Sequence, residues 1–164
     1  MDLVRCSEAA EANLEACLKV CQGDATQGRA TLVAFLESAE AARLSPSHHL
    51  LYQAHAALAV ACRTMGDHSA RAAHLRAALG ATTLWGRAPC AQLATLRIAL
   101  GACLLALAAA DAGGVGRKEL ASEAAEMLGK GEREARLVHG AGARVVEQAR
   151  AALRKAEALV ASAN

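Results

Sequence analysis

The stretch that decides the fold is Met65-Gly66-Asp67-His68-Ser69-Ala70-Arg71-Ala72-Ala73-His74-Leu75-Arg76-Ala77-Ala78-Leu79. Gly66-Asp67 is turn chemistry, and Asp67 supplies a side chain suited to capping the helix that follows. Ala72, Leu75, Ala78 and Leu79 then recur at helical spacing, which predicts one apolar face. Upstream, Leu50, Leu51, Ala54, Leu58 and Ala61 repeat the pattern behind Ser45-Pro46. That pair predicts a helix start, with a capping serine and then proline at the first helical position. The two runs read as a helical hairpin closed at Met65–Asp67.

Working outward, the same alternation of helix and short turn covers the chain. Ser7 is expected to cap a first helix bearing Leu14, Cys17, Leu18 and Cys21, which ends at Gln22-Gly23-Asp24. Asp24 with Gln27 suggests a capping box for a second helix, with Leu32, Phe35, Leu36 and Ala39 inside, running to about Arg43. Pro89 is expected to open a fifth helix to about Ala110, with Leu93, Leu96, Leu100, Leu104 and Leu107 as its spine. Asp111–Gly116 is a glycine-rich loop. A sixth helix follows from about Arg117 to Leu137, and Gly129-Lys130-Gly131 is expected to kink or split it, since each Gly costs about 1 kcal/mol relative to Ala. Gly140-Ala141-Gly142 is a turn, and Val145 to Val160 forms a last helix.

Composition agrees. The 164 residues contain single Phe, Trp and Tyr residues and two prolines, and about a quarter of the chain is Ala, the strongest helix former. The reading is all-α: about seven helices in antiparallel hairpins within one domain, residues 1–164. The net charge of +2 comes from interspersed charges. With no basic block and too few aromatics for base stacking, nucleic acid is not an expected partner. Asp2, Arg5 and Glu8 interrupt any secretory apolar segment. The most apolar run, Ile98–Ala110, is shorter than the roughly 20 residues of a membrane span and is closed by Arg97 and Asp111. An intracellular protein, cytoplasmic or nuclear and with no membrane partner, is expected. Six cysteines, Cys6, Cys17, Cys21, Cys62, Cys90 and Cys103, then read as reduced thiols.

The Met65–Leu79 segment resembles the central part of a tetratricopeptide repeat. Leu58-Ala59 occupies the Leu-Gly pair of the first helix, Leu75 the large apolar position and Ala78 the small one; Arg71 replaces the usual small residue after the turn. Leu100-Gly101 matches the Leu-Gly pair of a second copy, with Ala124 and Leu128 in its second helix. The resemblance implies hairpins stacked in a right-handed solenoid, since one hairpin cannot bury its own apolar face. It implies a concave surface that receives proteins or peptides.

A narrower resemblance covers about residues 10–160. Ser47-His48-His49-Leu50-Leu51-Tyr52, His74–Leu79, and Arg136-Leu137-Val138-His139-Gly140 with Val145-Val146 look like the C-terminal helical lobe of the SET- and MYND-domain protein lysine methyltransferases. The family's His-Pro after the Gly is replaced: Gly86 is followed by Arg87-Ala88-Pro89 and Gly140 by Ala141-Gly142. The same element is absent for the rival match, kinesin light chain repeats. The Asn-His-Ser-Cys motif and Cys-x-Cys cluster of the SET domain do not occur. The resemblance implies a non-catalytic regulatory lobe that docks partners, without cofactor or metal. The alternatives are an independent tetratricopeptide-type adaptor and a thiol- or metal-responsive helical protein.

Candidate chemistry is sparse. Cys17 and Cys21 are i, i+4 and read as buried structural thiols, because metal sites want Cys-x-x-Cys pairs and two more ligands. His48, Tyr52 and His55 share a helix face. His68 and His74 lack a carboxylate partner. Gly113–Lys118 lacks the spacing of a phosphate-binding loop. Trp85, the lone indole at a hairpin end, together with Tyr52 and His55, is the expected partner-binding set, since Trp is enriched at binding hot spots. Arg144, Arg150, Arg154 and Lys155 of the last helix form a charged side suited to acidic protein.

Overall fold

The computed structural model describes residues 3–38, 41–82, 90–111 and 116–162, with side chains from residue 8 onward. Seven α-helices and one 3-10 turn account for the described secondary structure, and no strand occurs among those residues. The all-α reading therefore holds. Contacts divide the chain into two compact units, Met1–Trp85 and Gly86–Asn164.

The first unit holds α1 (Leu3–Gly23), α2 (Ala25–Leu36), a 3-10 turn (Ala41–Arg43), α3 (His49–Thr64) and α4 (His68–Ala81). Helices α1 and α2 both pack on α3, and α4 packs on α3. Ala10, Leu14 and Cys17 of α1, Leu32 and Phe35 of α2, and Leu50, Ala54 and Leu58 of α3 form one buried cluster. Helices α1 and α2 meet at Gly28: a Cβ there would lie 2.3 Å from the Cα of Cys21. Only glycine admits that backbone approach.

Several helix ends differ from expectation, each for a local reason. Helix α1 begins at Leu3, so Ser7 lies inside it and is not its cap. Helix α2 stops at Leu36 because Ser38 diverts the chain: its hydroxyl accepts the Ala41 N–H at 3.2 Å, a side-chain bond that competes with helix continuation. Helix α3 starts at His49 rather than behind Ser45. The His48 N–H donates to the Ser45 carbonyl at 2.8 Å, so Pro46 occupies the second position of a tight turn, where its fixed φ also fits. His48 is the cap, with Nδ1 accepting the Leu50 N–H at 3.3 Å. The Asp24 half of the expected capping box is formed, its Oδ1 accepting from Thr26 and Gln27 at 2.8 and 3.0 Å, while the Asp24 N–H donates to the Val20 carbonyl at 3.0 Å rather than to Gln27.

The α3–α4 turn is the one the sequence announces. Gly66 has φ +72°, the left-handed conformation that ends a helix at low cost. The Asp67 N–H donates to the Cys62 carbonyl at 3.0 Å and the Gly66 N–H to the Arg63 carbonyl at 3.2 Å. This pair of bonds is a Schellman closure. Asp67 then caps α4 by accepting the Ala70 N–H at 2.9 Å.

The second unit holds α5 (Ala91–Ala110), α6 (Arg117–His139) and α7 (Arg144–Ser162), with α6 packed on both neighbours. Helix α5 is capped by Cys90, whose Sγ accepts the Leu93 N–H at 3.5 Å; Pro89, expected to open it, lies outside the described residues. Helix α5 is the one described helix long and apolar enough to cross a membrane. Here its Leu100, Cys103, Leu104 and Ala108 are buried. Helix α6 runs unbroken through Gly129-Lys130-Gly131, where a kink or split was expected. The glycine serves packing instead: a Cβ at Gly131 would meet Ile98 Cγ1 at 2.8 Å and the Ala94 carbonyl at 3.2 Å. Gly101 does the same from α5, against Leu128 at 2.6 Å. A kink would open this contact, so tertiary packing overrides the intrinsic helix cost of glycine.

Candidate functional site

The candidate residues fall on the α3–α4 hairpin and on the outer surface of the second unit. Tyr52 and His55 are half-buried on α3. Trp85 lies outside the described residues. His48 stacks on His49 with centroids 4.6 Å apart, and His49 pairs with Glu11 of α1 at 3.5 Å.

His55 turns to α4 instead. Its Nδ1 lies 3.3 Å from Nδ1 of His74, so the partner that His74 lacked in sequence is a histidine, not a carboxylate. The pair bridges the α3–α4 contact, and no spacing in the sequence singles out His74 as the partner. Burial is the first cause holding both imidazoles below the ordinary histidine value; the neighbouring ring adds to it for His55, and the Arg29 guanidinium for His74. Arg29 of α2 reaches Asp67 at 3.3 Å, and Asp67 partly offsets the shift at His74. Cys62, fully buried on the same hairpin, has its thiol pushed up by burial, with Arg29 acting against this and Asp67 with it. A buried thiol with a raised pKa is a poor nucleophile.

All five described cysteines are free thiols. Cys17 is buried, its thiol within 3.6 Å of the Thr31 carbonyl, and Cys21 is covered by Gly28. No group of three or more His, Cys, Asp or Glu side chains is placed to hold a metal ion among the described residues.

In the second unit, charge is used to join helices. Glu132 and Glu134 are two residues apart on α6, which separates them by about 200° around its axis. Glu132, only 9% exposed, accepts from Arg150 Nε of α7 at 2.8 Å. Glu134 pairs with Arg97 of α5. Arg150 is therefore committed inside the unit and is not part of a free basic face. Arg144, Arg154 and Lys155 remain exposed. Among the described residues, the large apolar side chains left in solvent are Val60 on α3 and Leu137 and Val138 at the end of α6. An open groove of about 480 Å³ runs between α6 and α7, lined by Ser122, Ala125, Glu157, Val160 and Ala161. No family model, curated protein or solved structure matches this chain.

Proposed function

We propose that this chain is a non-catalytic protein-interaction module whose hairpins stack in the manner of tetratricopeptide repeats, akin to the C-terminal lobe of the SET- and MYND-domain lysine methyltransferases. The observation that carries the reading is where the repeat-like residues lie. Leu58, Ala59, Leu75 and Ala78 are all buried around the Gly66-Asp67 turn. In the second copy Gly101 is in direct contact with Leu128 and Ala124. This burial supports the repeat-like reading of both segments. Leu137, 71% exposed on α6, supplies the kind of solvent-facing apolar group that partner surfaces cover.

The test is affinity capture with the full chain, followed by titration of the captured protein against wild type and against Trp85→Ala, Tyr52→Ala and Leu137→Asp. One specific partner is expected, with at least one variant losing about tenfold or more in affinity. Capture of no saturable partner sinks the interaction reading. Methyl transfer from S-adenosylmethionine by the chain alone sinks the non-catalytic one. An upstream SET-coding segment in the transcript separates the methyltransferase-lobe reading from an independent adaptor.

A further inference from the structure

The α3–α4 hairpin carries one polar fastening in addition to its apolar contacts. His55 and His74 bridge the two helices with nitrogens 3.3 Å apart and ring centroids 5.5 Å apart. These two distances place the rings nearly head-on, as an N–H···N bond requires. Rings converging on a shared metal ion would bring their centroids closer for the same nitrogen separation. Such a bond needs one imidazole as donor and the other as acceptor. A first proton is compatible with it, because the donor ring takes that proton on Nε2 and still donates from Nδ1. A second proton leaves two N–H groups facing each other and two cations in contact.

We propose that the His55–His74 bond is an acid-released latch on the α3–α4 hairpin, closed at neutral pH and opened by the second proton. The surroundings favour release. Arg29 of α2 places a fixed positive charge by His74. Asp67, the nearest carboxylate acting on the pair, is already engaged, with Oδ2 toward Arg29 and Oδ1 accepting the Ala70 N–H. Of the other ionisable groups on the two helices, Arg63, Arg71 and Arg76 are cationic, and His68 supplies no carboxylate. From α1, Glu11 acts on His48 and His49 rather than on the pair. Arg43 of the 3-10 turn is exposed.

The sign follows from linkage. Both imidazoles are held below their ordinary value in the closed hairpin, so the open state binds protons first. The contribution of the pair is complete above the open-state value of about 6.5 and is lost as pH falls from there toward the lowered values.

The test uses the full chain, with histidine ring signals followed by NMR and amide exchange by mass spectrometry over about pH 8 to 5. The His55–His74 pair should titrate in two coupled steps, the second below the ordinary value. Exchange of α4 amides, corrected for its intrinsic pH dependence, should accelerate by up to about tenfold per pH unit for each proton taken up. His74→Asn, and His55→Gln should the first not fold, should make α4 exchange independent of pH in this range. His48→Asn, which keeps a capping side chain, should leave the acid response intact. Independent titration at ordinary values, flat α4 exchange in the wild type, or acceleration that persists in His74→Asn overturns the latch. Protection of α4 by added zinc, lost in His74→Asn, overturns it in favour of a metal pair.

Discussion

The two units bury cores of the same kind: Leu14, Leu32, Phe35, Leu50 and Leu58 beside Ala10, Ala54, Ala72 and Ala78 in the first, and Leu100, Leu104 and Leu128 beside Ala94, Ala121, Ala124 and Ala135 in the second. Their polar fastenings differ. The first unit has a part-buried histidine pair and two ion pairs open to solvent, Arg29–Asp67 and His49–Glu11; the second joins its helices through carboxylates of little exposure, Glu134 to Arg97 and Glu132 to Arg150. Close helix approach does not separate them, since Gly28 in the first unit and Gly131 in the second both leave no room for a methyl group. The difference lies in how polar side chains between helices are satisfied.

The largest expected effects test whether the two cores are alike. Phe35→Ala should cost about 3–5 kcal/mol and Leu128→Ala about 2–5 kcal/mol, both read by denaturant unfolding. A loss of less than about 0.5 kcal/mol at either position would break that likeness. Next come the glycine contacts. Gly28→Ala should destabilise by about 2–3 kcal/mol, since the obstacle is the Cys21 backbone, which cannot swing aside. Gly131→Ala meets Ile98 and the Ala94 carbonyl at longer distances and gains about 1 kcal/mol of helix propensity. Its net loss should be about 1 kcal/mol, and thermal melting of the two variants should rank them in that order.

These glycines show what a sequence carries and what it does not. The turn at Gly66-Asp67 is legible because its chemistry is local: a left-handed glycine, then a capping carboxylate. The unbroken α6 is not, because Gly131 is explained only by Ala94 and Ile98 on another helix. The start of α3 fails for a related reason: Ser-Pro suits both a helix start and a tight turn, and the choice belongs to the Ser45–His48 bond. The histidine pair was half legible. The candidate His55 was visible on α3, but its partner depends on how α3 and α4 pack side by side, which no local spacing encodes. The exposed Leu137 and Val138 carry no sequence signal that separates them from core residues.

Smaller effects probe the fastenings. Glu132→Ala should cost about 1 kcal/mol in chemical unfolding, a modest value because Arg150 is 40% exposed and stays solvated without its partner. Gly80→Ala and Gly129→Ala have room for the added methyl group, with nothing within 4 Å at Gly80 and only the Arg133 guanidinium at 3.5 Å at Gly129. Each should stabilise by about 0.5–1 kcal/mol. Destabilisation by Gly129→Ala would mean that α5–α6 packing constrains both glycines of the Gly129–Gly131 step. Last is Glu126, whose carboxyl is held below its ordinary value by its hydrogen bond from Lys130 and then by that charge. Its contribution is present above the ordinary carboxylate value and lost as pH falls through the lowered one. The pair is exposed on the helix surface, so Glu126→Gln should leave the melting temperature at neutral pH unchanged within measurement.

The apolar character of α5 has a consequence for the order of synthesis. Its 20 residues are apolar enough to cross a bilayer, and its one charge, Arg97, pairs with Glu134 of α6. Leu128, the side chain that fits over Gly101, also belongs to α6. A chain emerging from the ribosome therefore displays α5 before it possesses the helix that covers it. During that interval the apolar side chains of α5 lack the helix that buries them. The gap between α5 and the middle of α6 is thus a time window as well as a sequence distance, and it closes only once α6 has emerged.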